Sequence, residues 1–224
     1  MGEAILKEHP YFKELKAADL AEIDKLVITK THQKGEIIFF EGEVGEALFL
    51  VKSGKVKLLK MVESGEEQII NIVKRGDIFA EVVLFDNGDY PATAIAMEDT
   101  EIGMIKGKDI EKLMYQIPEI ALKILKVMSK RLRRAQQRIR NLGLKDTTSR
   151  TASALVYLAQ EHGIGDELQV EINLSLTQQE LANIIGTSRE TVSRVLNKFK
   201  DDNLISVSRQ KIVIKDLAGL KDII

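Results

Sequence analysis

The chain has no cysteine in its 224 residues, which excludes disulfides, cysteine-ligated iron–sulfur clusters, cysteine-type structural zinc and thiol chemistry together. Its three histidines, His9, His32 and His162, lie far apart without paired metal-ligand spacing, so each reads as an ordinary surface or boundary residue and no metal site is expected. No run approaches the roughly eighteen consecutive apolar residues of a membrane span. The opening MGEAILKEHPYF carries acidic residues where a signal peptide has a basic flank and an apolar core. A cytoplasmic protein that does not engage the membrane is the expectation.

What is present is a globular composition, 44% hydrophobic and 30% charged, enough for real cores in one large or two small domains. The net charge of −1 conceals a segregation. Residues 1–118 carry 15 basic and 22 acidic side chains, whereas 123–150 carry 10 basic ones against the single Asp146. An acidic module is therefore followed by a basic one.

From about Gln33 to Lys108 short β-branched and aromatic runs (EIIFF, ALFLV, KVKLLKMV, QIINIV, TAIAM, EIGMI) alternate with glycines. That punctuation predicts an antiparallel, jelly-roll-like β-barrel, preceded by a short helical segment over residues 3–25. Turns at Gly54 and Gly65 require positive φ. After Pro118 the period becomes helical. Ala121, Leu125, Met128, Leu132, Ala135, Ile139 and Leu142 recur at alternating spacings of four and three, a heptad seam whose expected partner is a second copy of the chain. Ile124, Arg131 and Arg138 then fall on one flank and Leu122, Ser129, Gln136 and Gly143 on the other, so parallel pairing opposes no like charges. The outward Lys123, Lys126, Lys130, Arg133, Arg134 and Arg140 read either as a solvated face or as an electrostatic dock. Asn141-Leu142-Gly143 is expected to interrupt the helix. Asp146 and the residues after it supply caps for a new helix from Arg150 to His162, with Gly163 and Gly165 stopping it and LQVEINLSL following as a strand.

The strongest signal is TQQELANIIGTSRETVSRVLNKFK at 177–200. Thr177 can cap a helix through Ile185, Gly186 permits a turn, and Ser188 can cap a second helix whose apolar face is Val192, Val195, Leu196 and Phe199. Arg189, Glu190, Ser193, Arg194 and Asn197 are left on the exposed side. The first turns of such a helix enter the major groove, where Arg bonds guanine through its fork and Glu accepts from cytosine N4. NLISVSRQKIVIKD completes the unit as a two-stranded wing. The predicted class is α+β: β-barrel, long dimerisation helix and C-terminal winged helix-turn-helix, divided as 1–117, 118–145 and 146–224.

With its glycine-punctuated barrel, long helix, the hinge NLGLKDTTSR and the run GTSRETVSRVLNKFKDDNLIS, nearly the whole chain resembles the superfamily of the cyclic-AMP receptor protein and the fumarate–nitrate-reduction regulator (CRP/FNR). The resemblance implies a homodimeric transcription regulator that binds double-stranded DNA as an inverted repeat, with RNA polymerase as a further partner. It places base reading on Arg189, Glu190 and Arg194, with Ser193 from the pattern of the oxygen-responsive branch. Phosphate contacts fall on Thr177, Gln179, Ser188 and Thr191. Arg189 favours TGTGA-like half-sites over TTGAT-like ones, because its fork needs a guanine.

The same resemblance implies a cyclic-nucleotide-binding-like sensor, yet the residues depart from that pattern. Cyclic-nucleotide binders carry Gly-Glu and then Arg-Ser; here FAEVVLFDNGDYPATA has Ala80-Glu81 and Pro91-Ala92. Pro91 offers a cyclic phosphate neither charge nor N–H. Ala135 and Gln136 stand where nucleotide binders have hydroxyl residues. The expected effector pocket, Ala80, Glu81, Val82, Pro91, Ala92, Thr93, Leu132, Ala135 and Gln136, therefore implies an unidentified small molecule other than a cyclic nucleotide. Haem, as in the gas-sensing branches, is the alternative cofactor, and a constitutive DNA binder the alternative function. No histidine–carboxylate cluster in the barrel suggests an enzyme.

Overall fold

A computed structural model describes residues 6–7, 12, 15–61, 65–86, 88–144, 146–165, 169–208 and 211–224, except the side chains at 134 and 137–144. The chain divides into two compact units, Met1–Arg134 and Ala135–Ile224.

In the first unit, helix α1 (Ala17–Leu26) precedes strands β1 (Ile28–His32), β2 (Ile37–Phe39), β3 (Ala47–Ser53), β4 (Lys55–Met61), β5 (Glu67–Lys74), β6 (Ile78–Phe79), β7 (Thr93–Ala96) and β8 (Thr100–Lys106). A short helix α2 (Val83–Asp86) lies between β6 and β7, and α3 (Gly107–Gln116) and α4 (Pro118–Leu144) follow β8. The expected helical segment at 3–25 is described only in part: α1 begins at Ala17, and most of residues 1–14 lie outside the described residues.

The strands do not close into a barrel. They form two antiparallel four-stranded sheets of order β1-β8-β3-β6 and β2-β7-β4-β5, a jelly-roll-like arrangement. The reason is visible in β3, whose Ala47, Leu48, Phe49, Leu50 and Val51 are all buried. Successive side chains point to opposite faces. Phe49 and Val51 join Phe39, Val56, Val73, Phe79, Ala94 and Ile102 in a core contributed by both sheets. Leu48 and Leu50 join Leu20, Ile23, Ile105, Ile110, Leu113, Ile120 and Ile124 beneath the helices. A strand covered on both faces needs an unbroken apolar run, and ALFLV is one. Each such burial stabilises by about 1.5–3 kcal/mol before entropy is counted. Between β3 and β4 the chain reverses at Gly54, at φ +81°, where a Cβ would lie 2.8 Å from the Asp99 carbonyl oxygen.

Helix α4 serves two surfaces. Ile124, read above as a flank of the seam, is 1% exposed and packs in the core of its own unit. Leu122, Leu125 and Leu132 are 60%, 62% and 62% exposed and form a separate apolar strip with exposed Ser129 between them. Ala121 and Met128 are half-buried, Ala135 is exposed, and the side chains of Ile139 and Leu142 lie outside the described residues. The expected interruption at Asn141–Gly143 does not occur: α4 runs to Leu144. A glycine inside a helix costs only about 1 kcal/mol and need not end it. The next helix, α5 (Thr147–His162), starts three residues earlier than expected because Asp146 caps it, accepting from the Ser149 N–H at 2.7 Å.

The second unit continues with β9 (Gly163–Gly165), β10 (Val170–Ile172), α6 (Gln178–Ile185), α7 (Arg189–Asp201), β11 (Ile205–Ser208), β12 (Lys211–Ile214) and α8 (Leu217–Asp222). Its sheet has the order β11-β12-β10-β9. Gly163 and Gly165, expected only to stop a helix, form an edge strand against β10. The wing is the antiparallel pair β11–β12.

Candidate nucleic-acid interface and sensor pocket

The helix pair α6–α7 is specified residue by residue. The Thr177 hydroxyl accepts from the Glu180 N–H at 3.1 Å while the Glu180 carboxylate accepts from the Thr177 N–H at 3.0 Å, a reciprocal capping box. Gly186 ends α6 in the left-handed region at φ 74°, its N–H donating to the Ala182 carbonyl at 2.8 Å. Two residues later Ser188 caps α7, accepting from the Thr191 N–H at 3.2 Å. Val192, Val195, Leu196 and Phe199 then bury one face against the rest of the unit.

The opposite face of α7 borders a groove of about 830 Å³ lined by Gln178, Arg189, Glu190, Ser193, Arg194 and Asn197, with Lys198, Asp201 and Asp202 at its far end. Arg189, Glu190 and Arg194 are exposed and Ser193 half-buried. The Glu190 carboxyl is held below its ordinary range, first by its own backbone N–H, then by the Ser188 hydroxyl and the nearby Arg189. A helix N-terminus stabilises the charged form, so Glu190 stands ready as an acceptor. Of the residues assigned to phosphate, Thr177 and Ser188 are exposed while their hydroxyls serve as caps, and Thr191 is half-buried. The Gln179 amide donates to Asn183 at 2.9 Å.

The expected effector residues have unlike surroundings. Glu81 is 2% exposed, and its carboxylate receives the Arg131 guanidinium of α4. A second nitrogen of Arg131 donates to the Ile78 carbonyl at 2.7 Å. Ala80, between these partners, adopts φ +61°, a region that glycine favours. Thr93 is buried, its hydroxyl accepting from the Glu41 N–H at 3.0 Å; Ala92 is buried, Val82 half-buried and Pro91 exposed. Leu132 is exposed, and Ala135 and Gln136, also exposed, fall in the second unit. Between the sheets the rings cluster: Phe39 stacks on Tyr90 at 4.0 Å and lies 5.0 Å from Phe49, which stacks on Phe79 at 5.3 Å. Burial pushes the Tyr90 hydroxyl above its ordinary range, and that hydroxyl donates to the Ala47 carbonyl. Among the described residues no group of three or more His, Cys, Asp or Glu is placed to hold a metal ion, and no helix is long and apolar enough to cross a membrane. His32 bonds Glu36, His162 is buried in α5, and His9 lies outside the described residues.

Residues 29–116 match the family model of the cyclic nucleotide-binding domain, and residues 149–223 that of the Crp-like helix-turn-helix domain. The chain is 32% identical over 194 residues to the cyclic AMP receptor protein of Thermus thermophilus, covering 87% of each. It is 31% identical over 217 residues to a CRP-like cAMP-activated global transcriptional regulator of Mycobacterium tuberculosis, covering 96% of each. The chain belongs to the CRP/FNR family of transcription regulators. The solved structure of FixK2 from Bradyrhizobium japonicum shares the fold, with a TM-score of 0.78 at 23% identity, covering 88% of this chain and 96% of that one.

As a CRP/FNR regulator the chain is a DNA-binding protein with a helix-turn-helix and a cyclic-nucleotide-binding-like domain; its relatives are transcription regulators rather than enzymes. Arg131, expected on a helix flank, and Glu81, expected in the effector pocket, pair across fifty positions, a contact with no local signal in the sequence. Gln178, Lys198, Asp201 and Asp202 were likewise not expected in the groove, although Asp201 repeats the spacing that puts Asn197 on the face of Glu190 and Arg194.

Proposed function

We propose that this protein is a sequence-specific, homodimeric DNA-binding regulator of the cytoplasm, gated by a small molecule other than a cyclic nucleotide. In this division of labour residues 1–117 sense, 118–145 dimerise and hinge, and 146–224 bind DNA. The carrying observation is the capped pair α6–α7, which presents Arg189, Glu190, Ser193 and Arg194 along one groove with their backs to an apolar core. Two such helices related by a dimer axis read an inverted repeat whose half-site centres lie about 34 Å apart, TGTGA-like rather than TTGAT-like. Thr177, Gln179, Ser188 and Thr191, at or near helix N-termini, hold phosphates. The exposed leucine strip of α4 supplies the dimer contact, and RNA polymerase is the further protein partner.

Two relatives are named for cyclic AMP. Here Pro91 and Ala92 bring no cation or hydroxyl, and Glu81, the one polar group retained from that pattern, already receives Arg131. Calorimetry with cyclic AMP and cyclic GMP should detect no micromolar binding; such binding refutes the assignment. The second reading is a ligand-independent DNA binder, favoured by the aromatic cluster packed between the sheets. Native mass spectrometry and absorption spectroscopy of the purified dimer separate the two. A retained small molecule that raises operator affinity supports gating, and a haem band identifies a gas sensor. Tight operator binding by bare protein, unchanged by cell extract, supports the second reading.

A further inference from the structure

The α7 face carries one more group with the geometry of a base reader. Glu190, Ser193, Arg194 and Asn197 stand at positions i, i+3, i+4 and i+7, so all four lie on one side of the helix, and all line the same groove. Asn197 is exposed and, among the described residues, its side chain makes no hydrogen bond. It sits three residues beyond Arg194, about 4.5 Å further along the helix axis, comparable with the roughly 3.4 Å spacing of successive bases along a strand.

The charges around it limit how the helix can lie. Arg189 and Arg194 attract phosphates to the N-terminal half, together with the partial positive charge of the helix start. At the other end exposed Asp201 and Asp202 are balanced by exposed Lys198 and Lys200 of the last turn, so that end offers phosphates no net positive charge. The helix therefore enters the groove N-terminus first, and Asn197 is the last uncharged polar side chain on this face before the charged residues of the last turn. Its amide offers one donor and one acceptor in a plane, the complement of adenine N6 and N7.

We propose that Asn197 is a specificity-determining residue that reads an adenine next to the base pair read by Arg194, lengthening each half-site by one position. This rests on α7 being the reading helix. The test is selection from a randomised inverted repeat at fixed salt, using the full-length dimer, with wild type, Asn197→Ala, Asn197→Asp, Arg194→Ala and Arg189→Ala. An adenine should be enriched in each half-site at a position that Asn197→Ala makes indifferent, next to the position relaxed by Arg194→Ala. Affinity for the adenine-bearing site should fall about tenfold per half-site. Asn197→Asp, left with acceptors only, should shift that position toward cytosine. Because Asn197 is exposed and alanine is the better helix former, the variant should fold, which circular dichroism checks. If Asn197→Ala selects the wild-type sequence, or weakens all sequences by one factor as a phosphate contact would, the inference is overturned. If Arg189→Ala and Arg194→Ala also leave every preference intact, the reading-helix assignment falls with it; if they relax preferences and Asn197→Ala does not, only this inference falls.

Discussion

Replacing Arg131 by methionine removes a guanidinium from a carboxylate that is 2% exposed, and deprives the Ile78 carbonyl of its donor. Breaking a buried ion pair by deleting one partner costs about 3–5 kcal/mol when both members are dry. Arg131 is 38% exposed, so water already screens its side of the pair. The expected loss is therefore smaller, about 2–3 kcal/mol, of which about 1 belongs to the Ile78 hydrogen bond. Glu81→Gln keeps the shape and an acceptor oxygen while removing the charge, and should cost about half as much. The double variant should cost less than the sum of the two, by a coupling of about 1–2 kcal/mol. Urea denaturation followed by near-ultraviolet circular dichroism is weighted to the first unit, since three of the four tyrosines fall in it, Tyr90 is buried in its aromatic core and the chain has no tryptophan to mask them. Midpoint shifts at unchanged slope give the energies. Single variants that each lose less than about 0.5 kcal/mol and combine additively would refute the reasoning, and Arg131 would then be a solvated surface cation.

Leu132→Lys places a charge on the exposed leucine strip of α4 and should yield monomers that bind DNA weakly; a full dimer by light scattering would remove α4 from the interface. Arg189→Ala should lose about 1–3 kcal/mol per half-site and relax the preference at one guanine, whereas Thr177→Ala should weaken all sequences alike; site selection with both variants distinguishes the two roles. Gly54→Ala forces a side chain to φ +81° with its Cβ 2.8 Å from the Asp99 carbonyl oxygen, and should destabilise the first unit by more than about 1 kcal/mol, read as a lower urea midpoint. The Asp146 carboxyl is held below its ordinary range, chiefly by the Ser149 N–H. Its capping contribution should therefore be complete above the usual carboxylate range and be lost as pH falls through the depressed value, and Asp146→Asn should flatten that acid limb in a denaturation series.

The DNA-reading part was legible in the sequence because its determinants are local. Thr177 reaches Glu180, Gly186 takes the left-handed turn and Ser188 reaches Thr191, each within three or four residues, and the apolar positions of α7 repeat with the helical period. Most strands of the first unit were legible for a similar reason, since β-branched runs bounded by glycine describe pleated, buried surface. Strands β1 and β6 were not. The first is exposed at Ile28, Thr29, Lys30 and Thr31 and shows no alternation, and the second is two residues long. Both exist because a neighbouring strand, β8 or β3, offers them hydrogen-bond partners. Periodicity also identified α4 as amphipathic without saying which apolar stripe faced its own core. Ile124 and Leu125 are adjacent in sequence, and only the packing of Leu48, Ile105 and Leu113 beneath the helix assigns the first to the interior and leaves the second outside. The pairing of Arg131 with Glu81 is the extreme case. A contact across fifty residues depends on where α4 lies against the end of β6, and that placement is a property of the folded core rather than of any segment read alone.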